Sequence, residues 1–254
     1  MDYQNYLSIA LACAKQISIV FTEGFYSQNN IEWKSEKDPV TEYDKKIEQI
    51  SREFILDHYP DHIILGEEDG LYNNNNSDFK WIIDPIDGTI NYIRGIPFVA
   101  YSLALLYQDE IVISVVSNPI LEEYFWAVKG QGAYLNNNKI QVSMCDEIEH
   151  CYLAFGTYKE KYVSIYHELI QQFQSIRNPG SAALALAYIA SGRMNGAVYF
   201  KLSPWDMAGG VLLVTEAGGK VNNINSIDFS LDNFSIIASS SIIHSQLNKI
   251  VTTL

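Results

Sequence analysis

The chain has 254 residues, 48% hydrophobic and 19% charged, with 17 lysines plus arginines against 30 aspartates plus glutamates and a formal net charge of −13. That composition excludes a disordered chain, and the acidic excess excludes a general nucleic-acid binder, because phosphate backbones repel it. A small phosphate compound is still a suitable ligand if a cation intervenes, and a metal ion is the natural choice.

At roughly 150 residues per domain the length allows one or two domains. Cys13, Cys145 and Cys151 form no C-x-x-C pair, so neither a zinc knuckle nor a dithiol redox site is expected, and a reducing cytoplasm is the natural setting. Asp2 and the lack of a basic stretch before the first apolar residues, which Lys15 and Gln16 then interrupt, argue against a signal peptide. The longest apolar run, Ile96 to Leu106, falls short of the ~18–20 residues of a spanning helix. The expectation is a soluble protein without a membrane partner.

In chain order, Tyr6, Ala10, Ala14, Ile17 and Phe21 recur at helical spacing and predict a helix over 2–27. A second is predicted from Thr41 to His58, with Pro60 stopping it. Ile63 to Leu65 reads as a short strand ending in Gly66-Glu67-Glu68-Asp69, and the asparagine tract at 73–77 as a polar loop. Strands are predicted at Trp81–Ile83, Phe98–Leu106 and Ile111–Val116, and a hairpin over Glu123–Ala127 and Gly132–Leu135. Beyond about 144, strand and helix alternate. Leu153–Gly156, Ala197–Phe200 and Ser235–Ser239 read as strands. Tyr162–Phe173, Ser181–Ser191, Asp206–Ala217 and Ile242–Thr253 read as helices. With no linker and no internal repeat, the pattern predicts one α/β unit of two lobes, about 1–143 and 144–254, the first rich in antiparallel sheet.

The chemistry concentrates in Asp84-Pro85-Ile86-Asp87-Gly88-Thr89, directly after a buried strand. Two carboxylates flanking a proline and a free carbonyl can aim several oxygens at one point, which suits Mg²⁺. Gly88-Thr89 can open a short helix whose N–H groups face a phosphate. An Asp-Pro turn with an N-cap is the plainer alternative. Glu67 also stands just beyond a strand end, where open α/β sheets hold ligands, whereas Glu68 and Asp69 read as a solvated acidic loop. Asp206 begins a helix after Ser203-Pro204-Trp205, again with an N-cap as the alternative. The segment from Lys34 to Asp44 taken alone reads as a charged surface leading into a helix. His58, His62, His150, His167 and His244 lie in no motif and are expected at the surface. No G-x-S-x-G elbow or P-loop occurs, so serine hydrolases and nucleotide kinases have no support.

Taken together, Lys34 with Val40-Thr41-x-x-Asp44, Gly66-Glu67-Glu68, Trp81-Ile82-Ile83-Asp84-Pro85-Ile86-Asp87-Gly88-Thr89, and Trp205-Asp206-x-Ala208-Gly209 running into Glu216-Ala217-Gly218-Gly219 resemble the inositol monophosphatase family, in order and spacing. The resemblance implies a layered α/β/α/β/α sandwich and a Mg²⁺-dependent, lithium-sensitive phosphomonoesterase, commonly a homodimer, with two to three ions per site. It implies that Glu67, Asp84 and the Ile86 carbonyl hold a first ion and Asp84, Asp87 and Asp206 a second, with Glu67 reaching a third. Two-metal hydrolysis places the ions roughly 3.5–4 Å apart, and the shared Asp84 suits that spacing. Glu67 and Thr89 would position the attacking water, Asp44 would pair with the Thr89 hydroxyl, and Lys34 belongs to the same catalytic set. Asp87, Gly88, Thr89, Gly180, Ser181, Ala182, Lys201 and Asp206 would meet the substrate.

The implied substrate is a small soluble phosphate monoester of the inositol-phosphate or sugar-alcohol kind. The alternatives are a bisphosphorylated or nucleotide ester (3′-phosphoadenosine 5′-phosphate, fructose bisphosphate, NADP, histidinol phosphate) or an added binding role in a transcription complex, as in some relatives. One departure bears on this choice. Inositol monophosphatases usually carry a glutamate seven residues before the tryptophan-aspartate aspartate. Here that position is Tyr199, and Lys201 is the only charged residue between Tyr199 and Pro204. Neutralising Asp87 or Asp206 as asparagine is expected to abolish turnover and leave the fold intact.

Overall fold

A computed structural model describes residues 2–36, 38–73, 76–156 and 162–253. Part of the expected loop at 73–77 and residue 161 beside the expected helix at 162 fall outside those residues.

The chain opens with α1 (Gln4–Phe25), whose buried stripe is Leu7, Ala10, Cys13, Ala14, Ile17 and Phe21. By length and composition alone α1 could cross a membrane, although Lys15 and Gln16 break its apolar run. Its stripe is instead buried in a core shared with Ile47 and Ile55 of the next helix and with Trp81, Ile83 and Leu103 of the large sheet. An antiparallel hairpin follows, β1 (Ile31–Ser35) and β2 (Asp38–Thr41), where the sequence reading saw only charged surface. Thr41 caps α2 (Glu42–His58) through a capping box with Asp44.

The large sheet comprises β3 (Ile63–Gly66), β4 (Leu71–Tyr72), β5 (Phe79–Asp87), β6 (Ala100–Tyr107), β7 (Glu110–Asn118), β8 (Glu123–Val128), β9 (Gly132–Leu135) and β10 (Asn138–Ile140), with α3 (Thr89–Ile93) after β5. Its order is β10-β9-β8-β7-β6-β5-β3-β4, and only β3 and β5 run parallel. Gln108 and Asp109, both at positive φ, make the tight turn between β6 and β7.

The second sheet has the order β12-β11-β13-β15-β14, from β11 (Tyr152–Gly156), β12 (Ser175–Arg177), β13 (Gly196–Phe200), β14 (Gly219–Asn222) and β15 (Ser235–Ser240). The short strands β4, β10, β12 and β14 went unpredicted, because two to four residues hold too little alternation to read. The intervening helices are α4 (Val163–Gln172), α5 (Ala182–Ala190), α6 (Pro204–Glu216) and α7 (His244–Thr252).

Five layers result. α1 and α2 cover one face of the large sheet. α5 and α6, apolar nearly all round, fill the space between the two sheets. α4 and α7 cover the outer face of the small sheet through Ile165, Leu169, Leu247 and Val251. This is the α/β/α/β/α sandwich expected above. The central helices are pressed close: a Cβ on Gly210 of α6 would lie 2.4 Å from Leu186 Cβ of α5.

Candidate active site

The site is built around a defect in β5. Strand alternation would send residues 84 and 87 to opposite faces. Pairing with β6 instead passes from Asp84–Ser102 to Asp87–Ala100, three residues opposite two, which is a β-bulge. The bulge turns Asp87 toward Asp84. Asp206 arrives from the first turn of α6, and carboxylate oxygens of Asp84, Asp87 and Asp206 lie within 4.8 Å of one another. After the bulge Gly88 adopts φ 96° and starts α3. A Cβ there would stand 2.9 Å from the Gly180 carbonyl, so glycine alone fits this junction.

The three carboxylates are held differently. Asp87 Oδ2 accepts hydrogen bonds from Ser181 Oγ and Ala183 N–H, both 2.6 Å. Asp206 Oδ2 accepts from the Ser203 N–H at 2.6 Å as the third residue of a capping box whose N-cap is Ser203, not Asp206 itself. Asp84 is 1% exposed, and both of its oxygens are buried with no hydrogen-bond partner. Burial, then the charges of Glu67, Asp87 and Asp206, holds the Asp84 carboxyl well above the usual carboxylate range. Burial pushes Asp87 up to about 6 against the pull of Ser181 and Ala183. Asp206 is likewise raised by burial and by Asp87.

Beside the trio, Thr89 Oγ1 lies 3.2 Å from Asp44 Oδ1 and 3.1 Å from the Ile86 carbonyl. Asp44 is 1% exposed, and burial pushes its carboxyl up to about 6 although Thr41 donates to it from N–H (2.8 Å) and Oγ1 (2.6 Å). Glu67 does not join the three-carboxylate group. Its Oε1 accepts from Lys34 Nζ at 3.0 Å, and the same ammonium meets Glu68 at 2.6 Å. Lys34 is brought there by the unpredicted β1–β2 hairpin.

Glu68 is not the solvated residue expected: its side chain is 6% exposed and bound to Lys34. The 66–69 turn is fixed by Glu48, a residue the sequence reading passed over. Glu48 accepts the N–H groups of Glu68 and Asp69, each at 2.8 Å. A buried acid on a helix facing an acidic turn carries no local motif, so no sequence signal pointed to it.

These groups open onto a cavity of about 440 Å³. Glu67, Asp84, Ile86, Asp87, Gly88, Thr89, Gly180, Ser181, Ala182, Lys201 and Asp206 all line it, with Asp38, Pro39, Asn178 and Tyr199 added by the structure. Lys34 and Asp44 stand behind Glu67 and Thr89. A larger cavity of about 560 Å³ lies elsewhere, between α6 and strands β5 to β7, with Lys80 paired to Asp109 (2.9 Å), Lys129 to Glu110, and Glu216 to the Gly130 and Gly132 N–H groups. Two histidines also depart from expectation. His62 and His244 are buried, the first accepting from Trp81 Nε1 at 3.0 Å and the second bonded to Ser239 and Asn222.

A buried carboxylate with two orphaned oxygens amid like charges calls for a cation, and an all-oxygen set fits Mg²⁺. The sequence model of the inositol monophosphatase family matches residues 2–254. The chain belongs to that family. It is therefore a phosphomonoesterase of a Mg²⁺-dependent group. Among its relatives, the fructose-1,6-bisphosphatase/inositol-1-monophosphatase of Aquifex aeolicus is 35% identical over 226 residues, covering 86% of this chain and 85% of that protein. Nus factor SuhB of Escherichia coli K12 is 36% identical over 225 residues, 85% and 84% of the two chains. An inositol monophosphatase structure from Thermotoga maritima superposes with a TM-score of 0.92 at 32% identity, covering 98% of each chain.

Proposed function

We propose that this inositol monophosphatase family member hydrolyses a small soluble phosphate monoester, of the inositol-phosphate or sugar-alcohol-phosphate kind, with two to three Mg²⁺ ions at the aspartate trio. The observation that carries the reading is Asp84, buried, without a hydrogen-bond partner and central to the converging carboxylates. Asp84 and Glu67 with the Ile86 carbonyl form one ligand set, and Asp84, Asp87 and Asp206 a second, with Glu67 reaching a third ion. Magnesium bound there supplies Lewis-acid polarisation of the phosphate and the countercharge the acids lack.

The protein's own contribution is positioning. The Thr89 hydroxyl proton is held between Asp44 Oδ1 and the Ile86 carbonyl, which leaves the oxygen's lone pairs to accept from an incoming water. Glu67, tethered by Lys34, orients that water from the other side for in-line attack. Gly88, Gly180, Ser181 and Ala182 form the wall against which the ester lies. Because Asp206 comes from beyond residue 143 and Asp84 from before it, the two lobes act as one catalytic unit.

The same reading carries lithium inhibition, a homodimer and a cytoplasmic setting as expectations. The test is phosphate release from a panel of monoesters, including inositol 1-phosphate, with and without Mg²⁺. Mg²⁺-dependent release is expected, and no release from any ester at saturating Mg²⁺ would overturn the proposal.

A further inference from the structure

The turn that presents Glu67 is seated on one buried side chain. It closes through the Gly66 N–H, which donates to the Gly70 carbonyl at 2.9 Å, with Gly70 at φ 70°. Two further N–H groups of the turn, those of Glu68 and Asp69, converge on a single carboxylate, an arrangement suited to an anion. That anion is Glu48 of α2, whose Oε2 accepts from Glu68 and Oε1 from Asp69, each at 2.8 Å. Glu48 is 2% exposed, so water cannot stand in for either bond. A Cβ on Gly66 would lie 2.2 Å from Glu48 Oε1, so the carboxylate rests directly on the backbone next to Glu67. The Glu67 side chain itself reaches the catalytic cavity.

Glu48 belongs to a row of polar residues at four-residue spacing on α2, which places them on one face. Asp44, a turn earlier, meets Thr89 Oγ1 at 3.2 Å. Arg52, a turn later, pairs with Asp69 and lies over the Tyr72 ring, 4.9 Å from its centroid. Asp44 and Glu48 are buried, whereas the Asp69 side chain is 56% exposed, and an ion pair so open to water contributes little. Ile47 and Ile55 anchor the helix in the core. One rigid face thus registers both Thr89 and the turn of Glu67, the two groups assigned to the attacking water, and Glu48 is the contact that sets the second.

We propose that Glu48 is a positioning residue for Mg²⁺ binding: by clamping the 66–69 turn to α2 it holds Glu67 in register with the aspartate trio and with Thr89. This inference rests on the reading of Glu67 as a metal ligand. The clamp needs a carboxylate. Glutamine offers one acceptor oxygen and would turn an N–H₂ donor toward the second backbone N–H. A buried N–H left without an acceptor is costly, and the turn relieves that cost by moving off α2, carrying Glu67 with it.

The experiment titrates Mg²⁺ against thermal unfolding of the full chain, without substrate, in wild type, Glu48→Gln, Glu67→Gln and the double variant. Glu48→Gln should raise the Mg²⁺ concentration at half-maximal shift about tenfold or more, the usual range for a group that holds a metal ligand. Glu67→Gln should raise it as well. The double variant should be little worse than Glu67→Gln alone, because Glu48 acts through Glu67. Ile55→Val, which loosens the same helix against the core, should lower the metal-free Tm and leave the Mg²⁺ midpoint unchanged. If Glu48→Gln does not fold, Gly66→Ala displaces the same carboxylate from its seat and should shift the midpoint in the same direction, with an unchanged midpoint counting against the clamp. An unchanged midpoint in either single variant, additive effects in the double variant, or an equal shift in Ile55→Val would overturn the inference. The midpoints require no turnover, so failure of the phosphatase reading, with no ester hydrolysed at saturating Mg²⁺, registers separately.

Discussion

Ser181 donates its hydroxyl to Asp87 across 94 residues of sequence, at 2.6 Å, while accepting the Leu184 N–H of its own helix at 3.2 Å. The same side chain thus caps α5 and grips a candidate metal ligand, so the helix that fills the space between the sheets also sets the position of the bulged carboxylate. Capping and a place in the site are therefore both properties of this residue.

Ser181→Ala should accordingly do two things. Losing the cap and one charge-assisted hydrogen bond should cost about 1–3 kcal/mol of stability. Leaving Asp87 with fewer donors should also weaken Mg²⁺ binding. Urea melts and a Mg²⁺ titration followed by thermal shift check this, and a variant unchanged in both would remove Ser181 from the site.

Asp84→Asn is the cleanest probe of the metal assignment. Asp84 makes no hydrogen bond to lose, and neutralising it relieves repulsion from Asp87 and Asp206. The metal-free variant should melt at or above the wild-type temperature while losing turnover and the stabilisation by Mg²⁺. Asp87→Asn differs from the expectation drawn on sequence alone. It weakens two bonds to α5 and should cost about 1 kcal/mol even without metal. A Mg²⁺-induced rise in Tm that survives in Asp84→Asn would show that the cation binds elsewhere.

The raised carboxylates also set a pH dependence. With folded-state pKa values above the ordinary carboxylate value, the native protein holds protons that the unfolded chain releases. The Asp87 contribution to metal-free stability is therefore full below about pH 4 and lost as pH rises through about 6, and Asp84 and Asp206 act in the same direction. Mg²⁺ competes with those protons. Its thermal shift should be small at pH 5 and large at pH 7.5, and a shift independent of pH would contradict the coupling.

Thr89→Val should leave the fold and KM nearly unchanged and lower kcat by on the order of 10²–10³, the range of a lost proton-handling contact. Thr89→Ser keeps the hydroxyl that reaches Asp44 and Ile86 and should recover most of the rate. Equal rates for valine and serine would mean that the hydroxyl does not orient the attacking water.

Much of this protein was legible along the chain because the signals are local. The helical stripe of α1, the bounds of α2 and the Asp84–Thr89 run all act within a few residues, and short-range sterics and hydrogen bonding decide them. What only the tertiary structure decided involves partners far apart in sequence. The bulge that brings Asp87 beside Asp84 exists only against β6. Lys34 finds Glu67 and Glu68 because a hairpin, its first strand exposed and its second largely buried, carries it to them. His62 and His244 are buried because Trp81, Ser239 and Asn222 satisfy their ring nitrogens, and no local pattern announces such partners. Spacing in sequence determined which carboxylates were available, while strand register and helix packing determined which of them share one point in space.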